Sequence, residues 1–320
     1  MDQKEIKAFE VRDNIVGFYL ISAFNVKTSS NNKLYLDINL QDKTGDINSK
    51  LWNIEKNEHE TLKAGDVVKV KGTVTSWNDS PQFKITKIRL ATEDEYDIDA
   101  LVMAAPIDTE ETYQEILSLV ENFSNDTIRV ITETILERYH EKLLTYPAAK
   151  SNHHSIRGGL LYHIKRMLKV GESLAMIYDA VDQDLLYSGI ILHDIEKINE
   201  MDADHLGVVS DYTSEGKLLG HLIMGIKTVD KIAEEKDLDQ EISMMMQHMI
   251  LSHHYEPEFG SPKKPMFLEA ELLHHIDIID ARVYDFEEET DKLEAGGFSD
   301  PIWTLDRRRL YRSKYSNKEN

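Results

Sequence analysis

Hydrophobic and polar positions divide the chain into two parts with different periodicities. The segment Leu34–Leu40 (LYLDINL) alternates apolar and polar side chains with a period of two, which indicates a strand with one buried face. Other segments rich in strand-forming residues are Asn14–Val26, Ile47–Trp52, Val67–Val74 and Phe83–Ile88. Short strands separated by polar turns over residues 12–92 predict a small β-barrel.

The apolar spacing becomes helical from about residue 107. Thr112–Glu121 and Thr127–Tyr146 both carry apolar side chains at three- and four-residue intervals. Residues 93–106 begin with the acidic, aperiodic stretch EDEYDID and are predicted to form a linker. The sequence therefore predicts a multidomain protein, with an all-β barrel in residues 1–92 and an all-α helical bundle in residues 107–320.

Composition and charge limit the kinds of site and partner that the chain can have. The chain has no cysteine, which excludes disulfides, thiolate metal sites and a cysteine nucleophile. It shows no signal peptide and no membrane-length apolar run, so we expect a cytoplasmic protein that does not contact membranes. The net charge of −21 argues against a nucleic-acid partner. However, residues 1–92 carry 14 basic and 12 acidic side chains, so the acidity belongs to the second part.

The helical part contains the candidate chemistry. The apolar run Leu185–Ile198 ends in the adjacent pair His193–Asp194, and similar settings hold further histidines and one more acid. A single histidine of this kind is usually a hydrogen-bonded core or surface group, but seven such groups on five helices predict a metal-centred hydrolase site. Imidazole and carboxylate ligands without sulfur suit transition metals better than Ca²⁺. The seven are His163, His193, Asp194, His221, His253, His254 and Asp277.

The barrel strands carry aromatic and basic side chains that suit a single-stranded nucleic acid, because every base offers a face for stacking. For any single aromatic, however, core packing is the more usual role, and for any single lysine a solvated strand face is the more usual one. Trp77, in the polar turn SWNDSPQ, is predicted to be exposed. The main candidates are Tyr35, Trp52, Trp77, Phe83, Lys27 and Lys33, with Tyr19, Phe24, Lys50, Lys84 and Lys87 as further ones.

The barrel part, the helical part and the chain as a whole each resemble a known family. The segments DKTGDINSKLW, GDVVKVKGTV and QFKITKI resemble the OB-fold of the tRNA-anticodon-binding type. The order H…HD…H…HH…D resembles the HD superfamily of metal-dependent phosphohydrolases. Nearly the whole chain is similar to the YhaM-type 3′–5′ exoribonucleases, which join an OB-fold to an HD domain. The motifs that carry this likeness are NHHSIRGGLLYH, SGIILHDIEKI, YTSEGKLLGHL, HMILSHH, FGSP, FLEAELLHHIDIIDA and WTLDRRRLY.

The YhaM resemblance implies roles for individual residues. His163, His193, Asp194 and Asp277 match the core metal ligands, and His221, His253 and His254 match the additional histidines of two-metal members. Asp194 would bridge the ions, and it is predicted to form a catalytic pair with Lys197. Lys197 lies one helical turn beyond His193, where its ammonium would offset charge on the phosphoryl oxygens, and a solvated surface lysine is the alternative. Arg157 directly precedes the double glycine Gly158–Gly159, and this position near a helix N-terminus, rather than the resemblance, marks it as a candidate phosphate contact. Asp280 is the alternative to Asp277, with a hydrogen bond or salt bridge as its favoured role, and His274 and His275 are expected to support ligands or pack.

The resemblance also implies cofactors and substrate. We expect two divalent transition-metal ions, with Mn²⁺ favoured over Fe, Co²⁺, Ni²⁺ or Zn²⁺, and hydrolysis of single-stranded RNA from its 3′ end to nucleoside monophosphates. Single-stranded DNA as a further substrate and a homo-oligomer are left open. The alternatives are an HD phosphohydrolase of free or cyclic nucleotides, and a nucleic-acid-binding protein with an inactive HD domain. The second is motivated by Glu196 and Tyr255, which stand where the family usually has glycine.

The basic, aromatic tail Asp306–Tyr315 (DRRRLYRSKY) follows an acidic domain. Charge pairing with that domain is the favoured interpretation, and contact with RNA phosphate is the alternative.

Overall fold

The computed structural model describes residues 3–55, 61–78, 80–150 and 154–315. Asp79 of the predicted SWNDSPQ turn and Ser151–His153, which include the start of the NHHSIRGG motif, lie outside the described residues. The chain divides into two compact units, Met1–Ala104 and Ala105–Asn320. The predicted linker region contains two short 3₁₀ helices, Glu93–Glu95 and Ile98–Ala100, and its role as a linker stays a prediction.

The first unit is a closed barrel whose strands are hydrogen-bonded in the order β1-β2-β3-β5-β4. β1 is long enough to pair with both β4 and β2, and a register shift between Ile21 and Ala23 lies where its pairing with β2 begins. A parallel pairing of β3 with β5, at Ser49–Phe83 and Lys50–Lys84, closes the barrel. The strands are β1 (Asn14–Thr28), β2 (Leu34–Asp42), β3 (Gly45–Ile54), β4 (Val67–Trp77) and β5 (Ser80–Leu90).

The barrel core follows the predicted alternation. In β2, Leu36, Ile38 and Leu40 are buried, while the side chains between them are partly exposed. Gly72 of β4 is required because an added Cβ would lie 2.3 Å from the backbone oxygen of Lys84 and 2.7 Å from the Phe83 ring. The structure therefore confirms the predicted β-barrel, with each strand a few residues longer than the periodic pattern alone indicated.

The second unit is helical, as predicted, with one addition. A short hairpin of β6 (Met201–Ala203) and β7 (Val209–Tyr212) follows the short helix Lys197–Glu200. The sequence pattern did not predict this hairpin. Within the described residues, no helix is long and apolar enough to cross a bilayer. The helices are α1 (Thr109–Glu121), α2 (Asp126–Leu143), α3 (Gly159–Ile177), α4 (Gln183–Leu192), α5 (Lys197–Glu200), α6 (Ser214–Glu235), α7 (Gln240–Ser252) and α8 (Leu268–Asp291).

Helix α4 is the centre of this unit. Every residue from Leu185 to Leu192 is buried, which is expected for a helix that is apolar on all sides. It packs against α2, α3, α7 and α8. Asp182 caps its first turn by accepting a hydrogen bond from the backbone N–H of Leu185. The helix ends at Leu192, so His193 and Asp194 directly follow a helix whose last eight residues are all buried.

Candidate metal centre

The structure brings all seven predicted metal-binding side chains together. His163, His193 and Asp277 form one group, in which one ligand atom from each residue lies within 4.8 Å of the others. Asp194 and three further histidines form a second group under the same criterion. The histidines of this second group are His221, His253 and His254. These groups come from α3, α6, α8 and the C-terminal ends of α4 and α7.

Asp194 lies between the two groups. Its Oδ2 atom is 3.3 Å from Nε2 of His193, which belongs to the first group. Its Oδ1 atom is 3.2 Å from Nε2 of His221 and 3.7 Å from Nε2 of His253, which belong to the second. One carboxylate therefore presents an oxygen to each group, and this is the geometry that a bridging ligand requires.

Backbone carbonyls orient several of the imidazoles. Nδ1 of His193 donates to the carbonyl of Ile190 at 2.8 Å, and Nδ1 of His253 donates to the carbonyl of Ile250 at 2.9 Å. Nδ1 of His254 donates to the carbonyl of Phe259 at 2.6 Å. A carbonyl can only accept, so the proton is on Nδ1 and the Nε2 lone pair faces the centre of the cluster.

These inward-facing atoms fit a metal ion. Among the described residues, Nε2 of His193, His221 and His253 and Oδ1 of Asp194 are buried without a hydrogen-bond partner. An unsatisfied buried polar atom costs about 1–3 kcal/mol, so four of them converging on one region would be strongly unfavourable without a ligand. The HD-type order of residues and this donor set together indicate divalent metal binding.

Asp277 and Asp280 have different environments although both are on α8. Oδ1 of Asp277 lies 3.3 Å from Nε2 of His163, on the side of the metal cluster. Asp280 lies behind the same ring, where its Oδ2 accepts hydrogen bonds from Nδ1 of His163 at 2.7 Å and Nε2 of His154 at 2.8 Å. Arg166 donates to its other oxygen. Asp280 therefore has the hydrogen-bonding role that the sequence favoured, and it fixes the orientation of His163.

His221 depends on an interruption in its helix. Gly220 has φ 70° and ψ 159°, which breaks the helical hydrogen-bond pattern of α6. The backbone N–H of His221 instead donates to Oε1 of Glu200 at 3.1 Å, and its Nδ1 lies 3.1 Å from both oxygens of the same carboxylate. Only glycine adopts this conformation readily. Sequence analysis missed Glu200, although a carboxylate supporting a ligand histidine is a common arrangement.

Electrostatic effects keep the acids anionic. Burial alone would raise the pKa of Asp194, but the ammonium of Lys197, 2.7 Å away, and the neighbouring His193 hold it well below its usual range. Burial likewise opposes ionisation of Asp277, yet His163 and His193 lower its pKa. For His163, burial would lower the pKa, whereas Asp277 and Asp280 raise it to about 9. Both carboxylates are thus kept in the anionic form that a metal ion binds.

A cleft of about 850 Å³ opens onto this cluster. The residues that line it include Asp194, Lys197, His253, His254 and Asp277. Its size is within the range of sites that enclose a small molecule. The predicted catalytic pair, Asp194 and Lys197, therefore lines this cleft, although both side chains are largely buried. Arg157 is not among the residues of this cleft; its backbone packs beside Gly207.

The barrel candidates separate into exposed and buried groups. Tyr35 and Trp52 stack on each other with ring centroids 4.5 Å apart, and Nζ of Lys50 lies 5.6 Å and 5.5 Å from the two rings. Trp77 is 64% exposed. Lys27 forms an ion pair with Asp37, and Lys33 is exposed in the turn before β2.

Phe83 requires a correction. It was predicted as a stacking residue, but its side chain is completely buried and packs against Phe9 in the barrel core. The ring faces Gly72 on the neighbouring strand, so it cannot offer a face to a base. Tyr19 is buried as well, and its hydroxyl donates to the carbonyl of Lys4. Strand alternation decides which residues share a face, but only the closed barrel decides which face is inside.

Comparisons with known proteins agree with both units. Residues 160–282 match the HD domain family, and residues 23–91 match the OB-fold nucleic acid binding domain family. The chain is 37% identical to the 3′–5′ exoribonuclease YhaM of Geobacillus sp. (strain WCH70) over 98% of this chain and 96% of that protein. It is also 37% identical to the 3′–5′ exoribonuclease YhaM of Oceanobacillus iheyensis, over 95% of each chain. The chain belongs to the YhaM family.

Among solved structures, the second OB-fold domain of replication protein A from Methanococcus maripaludis is 18% identical, with a TM-score of 0.24, and covers 29% of this chain and 98% of that one. The HD match of this YhaM family member includes the seven candidate metal ligands, and the OB-fold match includes the six barrel candidates. Arg157 lies outside both matches.

Glu196 is the first departure from the YhaM family pattern, and the structure places it away from the cleft. Its carboxylate accepts hydrogen bonds from the hydroxyls of Tyr139 at 2.8 Å and Thr228 at 2.6 Å, and from the amide of Asn199 at 2.8 Å. The side chain is buried in the helical bundle. Glu196 therefore links α2, α5 and α6, and it does not crowd the metal cluster.

Tyr255 is the second departure, and its backbone explains why glycine suits the position. Its φ is 66°, in the left-handed region that favours glycine. Compensating contacts hold the ring: it stacks on His274 with centroids 4.6 Å apart, and Nζ of Lys264 lies 4.2 Å from its centre. His274 in turn donates from Nδ1 to the carbonyl of His253 at 2.7 Å. Tyr255 thus supports a candidate ligand through His274.

Proposed function

We propose that this chain is a metal-dependent 3′–5′ exoribonuclease that hydrolyses single-stranded RNA to nucleoside monophosphates. The position of Asp194 between two groups of inward-facing imidazoles carries the proposal, because it suits a pair of cations acting on one phosphodiester. The relatives named 3′–5′ exoribonuclease YhaM support the direction and the substrate. The barrel, which matches a nucleic acid binding family, supplies a surface for the strand.

Two divalent transition-metal ions, with Mn²⁺ favoured, would be held by the two groups of side chains. His163, His193 and Asp277 would hold one ion, His221, His253 and His254 the other, and Asp194 would contact both. Such a pair supplies activated water and stabilises the attacking and leaving oxygens of an in-line displacement at phosphorus.

The chain's own residues orient and balance charge. Lys197 holds Asp194 through a 2.7 Å ion pair, so the carboxylate keeps one orientation while its other oxygen faces His221 and His253. The ammonium also lines the cleft, where it would offset negative charge on the phosphoryl oxygens as the bond breaks. Lys197 therefore serves both as a positioning group for Asp194 and as an electrostatic group for the substrate.

On the barrel, we propose that the strand contacts the surface formed by Tyr35, Trp52 and Lys50, together with Trp77. Exposed rings next to a cation are suited to stacking on bases, and Lys27 and Lys33 would contribute charge near the phosphates. The affinity for RNA should fall with added salt in proportion to the number of phosphate contacts. Arg157 remains a proposed phosphate contact.

Trp77 and Phe83 offer a matched test of this surface. Trp77→Ala should weaken binding of single-stranded RNA by about 1–3 kcal/mol without changing stability, because the ring is exposed and free to stack on a base. Phe83→Ala should instead lower the free energy of unfolding by about 3–5 kcal/mol, because it leaves a cavity in the barrel core. Filter binding and chemical denaturation measure the two effects. Unchanged affinity in Trp77→Ala would remove Trp77 from the proposed interface.

The function is tested by incubating the purified full-length protein with end-labelled single-stranded RNA or DNA across a panel of divalent metals. We expect Mn²⁺-stimulated shortening from the 3′ end with release of monophosphates, and inhibition by EDTA. Hydrolysis of free or cyclic nucleotides with no shortening of RNA would indicate a nucleotide phosphohydrolase. RNA binding without metal uptake or cleavage would indicate a binding protein. A cytoplasmic location stays a prediction from the sequence, and so does the option of a homo-oligomer.

A further inference from the structure

The cleft that opens onto the metal cluster is also lined by a tryptophan that the sequence did not mark as a site residue. Trp303 begins the 3₁₀ helix Trp303–Leu305 and lines the same cleft as Asp194 and Asp277. Its side chain is 74% exposed, which is unusual for the largest apolar residue type. Both domain-family matches end before it. An exposed aromatic ring in a cleft next to a reactive centre calls for a ligand-binding explanation.

The segment that carries Trp303 is firmly held. Leu305, two residues later, is completely buried, and the backbone N–H of Ile302 donates to the carbonyl of Arg308 at 3.0 Å. The next two residues, Asp306 and Arg307, have φ values of 57° and 58°. Consecutive non-glycine residues in this region are strained and persist only where surrounding contacts enforce them. The burial of Leu305 and the hydrogen bond of Ile302 therefore hold Trp303 in its exposed position.

Within the described residues, a cation packs on the Trp303 ring while most of the residue stays exposed. The guanidinium of Arg307 lies 4.5 Å from the Trp303 ring centroid, a distance typical of a cation–π contact. Asp306, which lies between Trp303 and Arg307 in sequence, forms an ion pair with Arg282 at 3.2 Å. This ion pair ties the turn to α8. Because the guanidinium covers one face, the opposite face is left for a planar ligand.

We infer that Trp303, backed by Arg307, is the stacking platform for the base of the 3′-terminal nucleotide; this inference rests on the proposed exoribonuclease function. The scissile phosphodiester must approach Asp194 and Asp277, and Trp303 lines the same cleft, so the base next to that phosphodiester is the planar group offered to the ring. Stacking is also compatible with the acidic cleft, because it does not require contact with phosphate. Since every base has a π-face, the platform accepts all four nucleotides.

The test uses the full-length protein and two short RNA oligomers that differ only in the 3′-terminal residue, which carries a base in one and is abasic in the other. Trp303→Ala should lower kcat/KM for the normal oligomer by about 5- to 150-fold, the range expected for loss of one base–aromatic stack, mainly through KM. Trp303→Phe should recover most of this loss. The abasic oligomer should be cleaved slowly by wild type and be almost unaffected by the substitution.

Tyr178→Ala is the control, because Tyr178 is 52% exposed at the end of α3 and does not line the cleft. Its kinetics should match wild type, and thermal unfolding should show that all variants are folded. Equal losses on both oligomers, or no loss on either, would overturn the role of Trp303 while leaving the nuclease function intact. If wild type cleaves neither oligomer with added metal, the proposed function fails, and the inference fails with it.

Discussion

Asp194→Asn is expected to reduce RNA hydrolysis by about 10³-fold or more while leaving RNA binding by the barrel intact. The substitution preserves the shape of the side chain, but it removes the charge that faces His193 on one side and His221 and His253 on the other. It also leaves Lys197 without its ion-pair partner. Single-turnover cleavage measures the rate, and elemental analysis measures bound metal, which should fall together with the activity.

Asp182→Asn is the matched control for this experiment. Asp182 is at the opposite end of α4, where it caps the helix by accepting from the backbone N–H of Leu185. Asparagine caps helices about as well as aspartate, so both stability and cleavage should remain close to wild type. Cleavage by Asp194→Asn at a rate within a few-fold of the control would eliminate the proposed metal centre.

Asp280→Asn is expected to lower both the stability of the protein and its affinity for metal. The carboxylate accepts from His163, His154 and Arg166 and is almost fully buried. An amide would turn a donor toward these donors and leave Arg166 without its buried partner, so the free energy of unfolding should fall by about 3–5 kcal/mol. Since His163 also loses its orienting bond, metal affinity should fall by about 10- to 100-fold.

The same arginine provides the control. Arg166 also pairs with Glu287 at 3.1 Å, but the Glu287 side chain is 59% exposed. Glu287→Gln should therefore change stability by less than about 1 kcal/mol, as expected for a solvent-screened pair, and should leave metal binding unchanged. Denaturant unfolding and calorimetric metal titration distinguish the two variants. Equal destabilisation by both substitutions would show that the buried network around Asp280 contributes nothing beyond a surface ion pair.

Much of the candidate site could be predicted because its signals are local. The apolar run of α4 identifies a buried helix, and the His193–Asp194 pair at its end identifies polar groups that need a partner there. The double glycine before His163 marks a helix start that the structure confirms, with Gly158 at φ 71° and an added Cβ on Gly159 only 2.0 Å from the carbonyl of His154. These features depend on residues close in sequence.

The remaining assignments depended on contacts between distant elements. Asp277 and Asp280 are three residues apart on α8, so helical periodicity places them on the same side and cannot tell which one faces the cluster. The two acids are distinguished by Arg166 and His154, which lie more than 100 residues earlier in the chain. Both donate hydrogen bonds to Asp280, on the side of His163 away from the cluster. Glu196 likewise follows Asp194 by only two residues, but in the turn between α4 and α5 its side chain points to Tyr139 and away from the cluster.

The order of elements, with the barrel followed by helices, and the set of imidazoles and acids available to metal ions follow from the residues alone. The packed structure was needed to show which aromatic rings face solvent, which carboxylate orients His163, and that Trp303 lines the cleft. The physical reason is that periodicity defines the faces of a single helix or strand, whereas packing between elements distant in sequence decides what each face meets.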